Sequence, residues 1–222
     1  MPLNRKQMEQ LNEATIGYVF PAVYFDFVNG TEIRAENMAE VENRIYIQLA
    51  SNEIPDVKYG LANVLYWGYA QIGYRGNRVD DFINKVTERQ IIEFIEVRND
   101  DIPTMRDISR IHMPQYSGVS FISKILMFLN PDEYCVLDQQ LAKLRTRNSP
   151  KQLNRLVFRP NESQIRITNH NEDVYNGWRN EWLEISQKYY QGEHRVVDIE
   201  RGFFNLVQQG DVQQAQAIYN AA

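Results

Sequence analysis

A lysine and an aspartate, Lys124 and Asp138, carry the clearest capacity for chemistry in this chain. Lys124 sits in Val119-Ser-Phe-Ile-Ser-Lys124-Ile-Leu-Met-Phe-Leu129, among Ile122, Ile125, Leu126 and Phe128. Burying an ammonium group without a partner is costly. Burial lowers a lysine's pKa and frees its amine to act as a nucleophile or to form a Schiff base. The structural alternative is a stem laid on apolar neighbours with the amine in water, and the residue alone favours it. Asp138 follows Asn130-Pro-Asp-Glu-Tyr-Cys-Val-Leu137. There it can cap a helix. It can also hold a proton, position water or stabilise a developing positive charge. One aspartate can do both.

Other groups offer less. His112, His170 and His194 are far apart with no ligand spacing, so no metal and no cofactor are expected. There is no phosphate-binding glycine loop. Cys135, beside Val136 and Leu137, reads as a small buried residue. Before Lys124, the run Met113-Pro-Gln-Tyr-Ser-Gly118 reads as a turn, with Gly118 free to take positive φ. The helix after it would aim its first N–H groups at that turn, which suits an anion. An ordinary helix–turn–helix corner would look the same.

At 222 residues the chain suits one domain over 1–222, with room for two helical lobes and a cleft between them. No apolar run approaches the roughly 20 residues that span a bilayer, and no secretory signal is evident, so no membrane role is expected. A single cysteine excludes an intrachain disulfide and fits a reducing cytoplasm. The net charge of −5 argues against a protein that coats nucleic acid. Yet Lys143, Arg145, Arg147, Lys151, Arg155, Arg159 and Arg166 lie close together, interrupted only by Glu162. They are either a phosphate-facing patch or a solvated helix end and hairpin.

The elements that must position these residues are mostly helical. Helices are predicted over 3–15, 35–50, 55–74, 79–97 and 104–111, with Thr104 as a cap and Gly73 and Gly76 ending the third. Residues 16–26 read as extended chain or buried loop. Residues 120–129 form a buried helix, and Asp138 caps a helix over 139–145. Alternation in Leu156-Val-Phe-Arg-Pro160 and Gln164-Ile-Arg-Ile-Thr168 predicts a small β-hairpin. Helices follow over 175–190, 195–208 and 212–219. The fold class is mostly α with a small β-hairpin insertion.

The stretches Tyr66-Trp-Gly-Tyr-Ala-Gln71, Gly118-Val-Ser-Phe-Ile-Ser-Lys124, Pro131-Asp-Glu-Tyr-Cys-Val-Leu-Asp138 and His194-Arg-Val-Val-Asp-Ile-Glu-Arg-Gly-Phe-Phe204 resemble the helix–hairpin–helix DNA glycosylase superfamily. They look most like bacterial and archaeal proteins with an 8-oxoguanine DNA glycosylase fold. In that family a Leu-Pro-Gly-Val-Gly hairpin clamps the DNA backbone, the next helix carries a lysine nucleophile in bifunctional members, and an aspartate follows. The resemblance implies Met113-Pro114 and Gly118 as hairpin ends, Lys124 as nucleophile and Asp138 as catalytic aspartate. Gln115-Tyr116-Ser117 lack the family's glycines, and Lys124 lies one turn beyond the family position, about 6 Å further along the face of Ser120. The resemblance further implies a flipped base held by Trp67, Gln71 and Tyr116, and backbone contacts from Gly118, Arg75, Arg78, Arg145 and Arg155. The expected partner is DNA with a damaged or modified base, in repair or phage defence. The alternative is a non-catalytic DNA- or protein-binding module that keeps the fold.

Overall fold

A computed structural model describes residues 2–71, 75–100, 103–159 and 162–222. Among them are ten α-helices, two single-turn 3₁₀ helices and one two-stranded antiparallel sheet. The chain divides into two compact units. One is Phe20–Leu129; the other joins Met1–Val19 to Asn130–Ala222. The first helix, α1 (Arg5–Ile16), therefore belongs with the C-terminal half.

The unit Phe20–Leu129 holds a hairpin, β1 (Val23–Asp26) and β2 (Thr31–Arg34), then α2 (Met38–Ala50), α3 (Ile54–Gly68), α4 (Arg75–Lys85), α5 (Glu88–Asp100), α6 (Met105–Arg110) and α7 (Val119–Leu129). Helix α3 is its centre, packed against β1, α2, α4, α5 and α7. Its sequence explains this, because Val57, Leu61, Ala62, Val64, Leu65 and Trp67 are all buried. Gly60 sets the α2 crossing: a Cβ there would lie 2.9 Å from the Leu49 nitrogen. Buried Asn63 ties the hairpin down. Its Oδ1 accepts from Phe25 N at 2.7 Å, and its Nδ2 donates to Phe25 O at 3.1 Å.

Several predicted boundaries change. Residues 16–26 contain β1, and Asn29-Gly30 closes the hairpin, with Gly30 at φ 69° and Asp26 Oδ1 accepting from Val28 N and Asn29 N. Helix α3 ends at Gly68 rather than at Tyr74; Gly73 and Tyr74 lie outside the described residues, and Gly76 falls inside α4. The single helix predicted over 79–97 is two. Thr87 breaks it with a capping box: Gln90 N donates to Thr87 Oγ1, and Thr87 N donates to Gln90 Oε1. Thr104 caps α6 as expected.

The other unit combines α1 with α8 (Asn169–Tyr190), α9 (Val196–Gln208), α10 (Val212–Ala221) and 3₁₀ turns at Leu141–Leu144 and Gln152–Arg155. Its core is aromatic. Trp182 stacks on Phe203 at 4.6 Å between ring centres and meets Trp178 at 5.0 Å. Helices α1 and α9 lie close because Gly202 has no side chain; a Cβ there would collide with Thr15 Oγ1 and meet Leu11 Cδ1 at 3.0 Å. Asn205 donates from Nδ2 to the carbonyls of Ala14 and Gly17 across the same crossing.

The hairpin predicted over 156–168 does not form among the described residues. Buried Asn171 takes its backbone groups instead. Asn171 Oδ1 accepts from Val157 N at 3.0 Å, and Nδ2 donates to Val157 O at 3.0 Å and Arg166 O at 2.8 Å. The helix predicted over 139–145 is only the 3₁₀ turn Leu141–Leu144. Among the described residues, no helix is long and apolar enough to cross a membrane.

Candidate functional site

The turn before α7 is held from both sides. His112 and Gln115 adopt left-handed backbone, at φ 54° and 70°, while Gly118 does not. That conformation is sparsely populated for residues other than glycine and persists only where neighbours enforce it. Here they do. Gln90 Nε2 donates to the Ile111 and His112 carbonyls, and Gln115 Nε2 donates to Asp81 at 2.6 Å. Arg78 donates to Gln115 Oε1 at 3.2 Å. Gln115 directly follows Pro114.

Lys124 lies one turn into α7 and is 6% exposed. Its amine donates to Ser120 Oγ at 3.0 Å and Ser120 O at 3.2 Å, and sits 4.9 Å from the centre of the Phe121 ring. Its stem lies on Gly68. A Cβ at Gly68 would be 2.6 Å from Phe121 Cε1 and 3.1 Å from Lys124 Cδ. Gly68 thus makes the seat for both, a role that the sequence did not signal because it depends on a neighbour far along the chain.

Asp138 belongs to the other unit. Its Oδ1 accepts from Gln140 N at 2.9 Å and Leu141 N at 3.0 Å, so it holds the entry to the single turn Leu141–Leu144, whose N-cap position is Gln140 rather than Asp138. Oδ2 accepts no hydrogen bond from the described residues. The loop ahead of it is braced. Tyr175 donates to Cys135 O at 2.7 Å, Arg179 donates to Glu133 O at 3.2 Å, and α9 gives Val196 N and Val197 N to the carbonyls of Asp132 and Pro131. Two of the stretches singled out in the sequence, 131–138 and 194–204, are therefore bonded to each other. Arg179 also lies over the Tyr134 ring at 4.5 Å, and sequence reasoning missed it. Burial pushes the Cys135 thiol well up, so it stays protonated and is a poor nucleophile.

The base-pocket candidates separate. Tyr116 is 1% exposed, donates to Leu61 O, and meets Phe82 edge-on. Trp67 is 3% exposed, between Phe20 and Phe128. Neither ring keeps an open face, so both are corrected to core residues. Gln71 is exposed at the end of α3's trailing turn.

The cationic candidates are partly engaged. Arg75 pairs with Glu32 at 2.5 Å, donates to Ala70 O and covers the Tyr66 ring at 4.3 Å. The Tyr66 hydroxyl also donates to Glu32 at 2.6 Å, and this bond, then Arg75, holds the Glu32 carboxyl below its ordinary range. Arg145 donates to Leu156 O at 3.0 Å, and Arg155 to Gln152 Oε1 at 2.9 Å. Gly118 is buried at the head of α7. Among the described residues, no group of three or more His, Cys, Asp or Glu could hold a metal ion.

Comparison with protein-family models, with curated proteins and with solved structures finds no match for this chain.

Proposed function

We propose that this chain is a DNA base-excision glycosylase that cleaves the N-glycosidic bond of a damaged or modified base. The observation that carries the reading is the seat of Lys124. A lysine one turn into a helix is almost wholly removed from water, with its stem against a glycine and its amine donating to Ser120 beside the Phe121 ring. Desolvation of this kind favours the neutral, nucleophilic amine. The left-handed Gln115 ahead of that helix supports the hairpin resemblance. Asp138, anchored through one oxygen, has the other to stabilise a cationic sugar or to orient water. Lys124 would attack the sugar's anomeric carbon as the base leaves, giving a Schiff base and then strand cleavage. In phage defence the base would be a phage modification.

The test is borohydride trapping on duplexes with abasic sites and modified bases. A covalent adduct is expected, lost in Lys124→Ala. Neither adduct nor base release across the panel would sink the reading. The second reading, a non-catalytic DNA- or protein-binding module, is favoured by the burial of Trp67 and Tyr116, which leaves Gln71 alone of the pocket candidates exposed.

A further inference from the structure

Residues 139–161 hold six Lys or Arg and no Asp or Glu, in a chain whose net charge is −5. The fold sorts these cations. Lys143, Arg145, Arg147 and Arg159 line one groove of about 630 Å³, with no acidic side chain among the described residues of its walls. Lys151 lies over the Tyr219 ring, Arg155 bonds Gln152 outside the groove, and Arg166 pairs with Glu162.

Both walls are fixed from behind. On one side, Asn154 Oδ1 accepts from Thr146 N at 2.8 Å and Asn154 Nδ2 donates to Ser149 O at 3.0 Å; Gln216 Nε2 donates to the carbonyls of Lys143 and Arg145. On the other side, Asn171 clamps Val157, and His170 Nε2 lies 2.7 Å from Arg155 O. Arg145 joins the walls through its bond to Leu156 O. The lining amide of Asn154 and the hydroxyl of Thr146 are already bonded, the latter to Asn220. Arg147 and Arg159 make no side-chain hydrogen bond or ion pair among the described residues. Val157 is exposed and Phe158 half-buried, which adds apolar surface beside the charges.

We infer that this groove holds the sugar–phosphate backbone of one strand of nucleic acid and does not read its sequence. Fixed cations on rigid walls suit phosphates. With Asn154 and Thr146 engaged, Asn148 is the one lining amide without a side-chain hydrogen bond among the described residues, which leaves few groups for base edges. An apolar strip beside cations is how sequence-tolerant single-strand sites are built. The inference rests on the nucleic-acid part of the reading above and not on lysine chemistry.

The test is fluorescence anisotropy with labelled oligo-dT and oligo-U at several salt concentrations. Binding should weaken with salt at a log–log slope of about −3, from four contacts at about −0.7 each. Arg147→Glu with Arg159→Glu should lower affinity at least about tenfold and make the slope shallower by about 1.4, with an unchanged melting temperature. Arg5→Glu with Lys6→Glu, exposed cations outside the groove, should change neither. Preference for oligo-dT would identify DNA as the source of the phosphates, and equal binding would identify either strand. Failure of both oligonucleotides to bind, binding indifferent to salt, or equal losses in the two double variants would overturn the inference. Unsubstituted protein that binds the oligonucleotides as described but gives neither a trapped adduct nor base release would overturn only the glycosylase reading and leave the groove standing.

Discussion

The seat of Lys124 and the groove of residues 143–159 use positive charge in opposite ways. In the first, a single amine is withdrawn from water and donates to Ser120. In the second, four cations stay at a surface, and two of them make no side-chain bond among the described residues. A desolvated amine gains reactivity and gives little long-range attraction. Solvated guanidinium groups attract phosphate and have no reactivity to offer. The buried amine and the exposed cations lie in different units of the chain, and substitutions should separate their effects.

The largest separation is expected at Asp138. Asp138→Asn keeps the oxygen that holds the entry to the turn and removes the charge, so base release should fall about 10²–10⁴-fold while oligonucleotide affinity holds. An equal fall in both assays would show that the two centres are not independent. Next is Gly68→Ala, whose Cβ would press on Phe121 and the lysine stem. Overpacking of this kind costs about 1–3 kcal/mol, read as a lower melting temperature. The trapped adduct should diminish and groove binding should not. Asn171→Ala is the mirror experiment. It removes two hydrogen bonds to Val157 in the groove wall and a third to Arg166 O, at about 1–3 kcal/mol, and should weaken oligonucleotide binding severalfold with trapping intact.

The smallest effect concerns Glu32. Its folded carboxyl is held below the ordinary value of 4.5 by the Tyr66 hydroxyl and Arg75. A depressed acid stabilises the fold above its unfolded pKa, and the contribution disappears as pH falls through the folded value. Thermal melting should therefore drop slightly as pH falls below about 4.5, and Glu32→Gln should flatten that part of the profile. A profile unchanged by the substitution would remove Glu32 from the account.

Much of the helical layout was legible because its signals are local. Thr104, the apolar run of 119–129 and the bond that Asp138 accepts from Gln140 N each depend on a few adjacent residues. The Thr87-Glu-Arg-Gln90 box was also legible, yet the continuous apolar periodicity of 79–97 masked it. The hairpin was assigned to the wrong segment for a different reason. Alternation in 156–168 is what a strand would show, but Asn171 supplies the hydrogen bonds that a second strand would have made. Gln115's left-handed backbone had no residue signature, since only its tethers to Arg78 and Asp81 enforce it. The cationic run was plain in the sequence. Which four members share a groove depended on how the walls fold.

The close fit of α1 on α9 has a consequence for the nascent chain. Leu11 must wait for Gly202 to be synthesised before its buried contact exists. At roughly 5–20 residues per second, that delay is on the order of 10–40 s. The segment Phe20–Leu129 is complete well before then. Ribosome-bound chains stalled before α9 should therefore show a protease-resistant inserted unit and a cleavable N-terminal helix, which becomes protected only when its distant partner emerges.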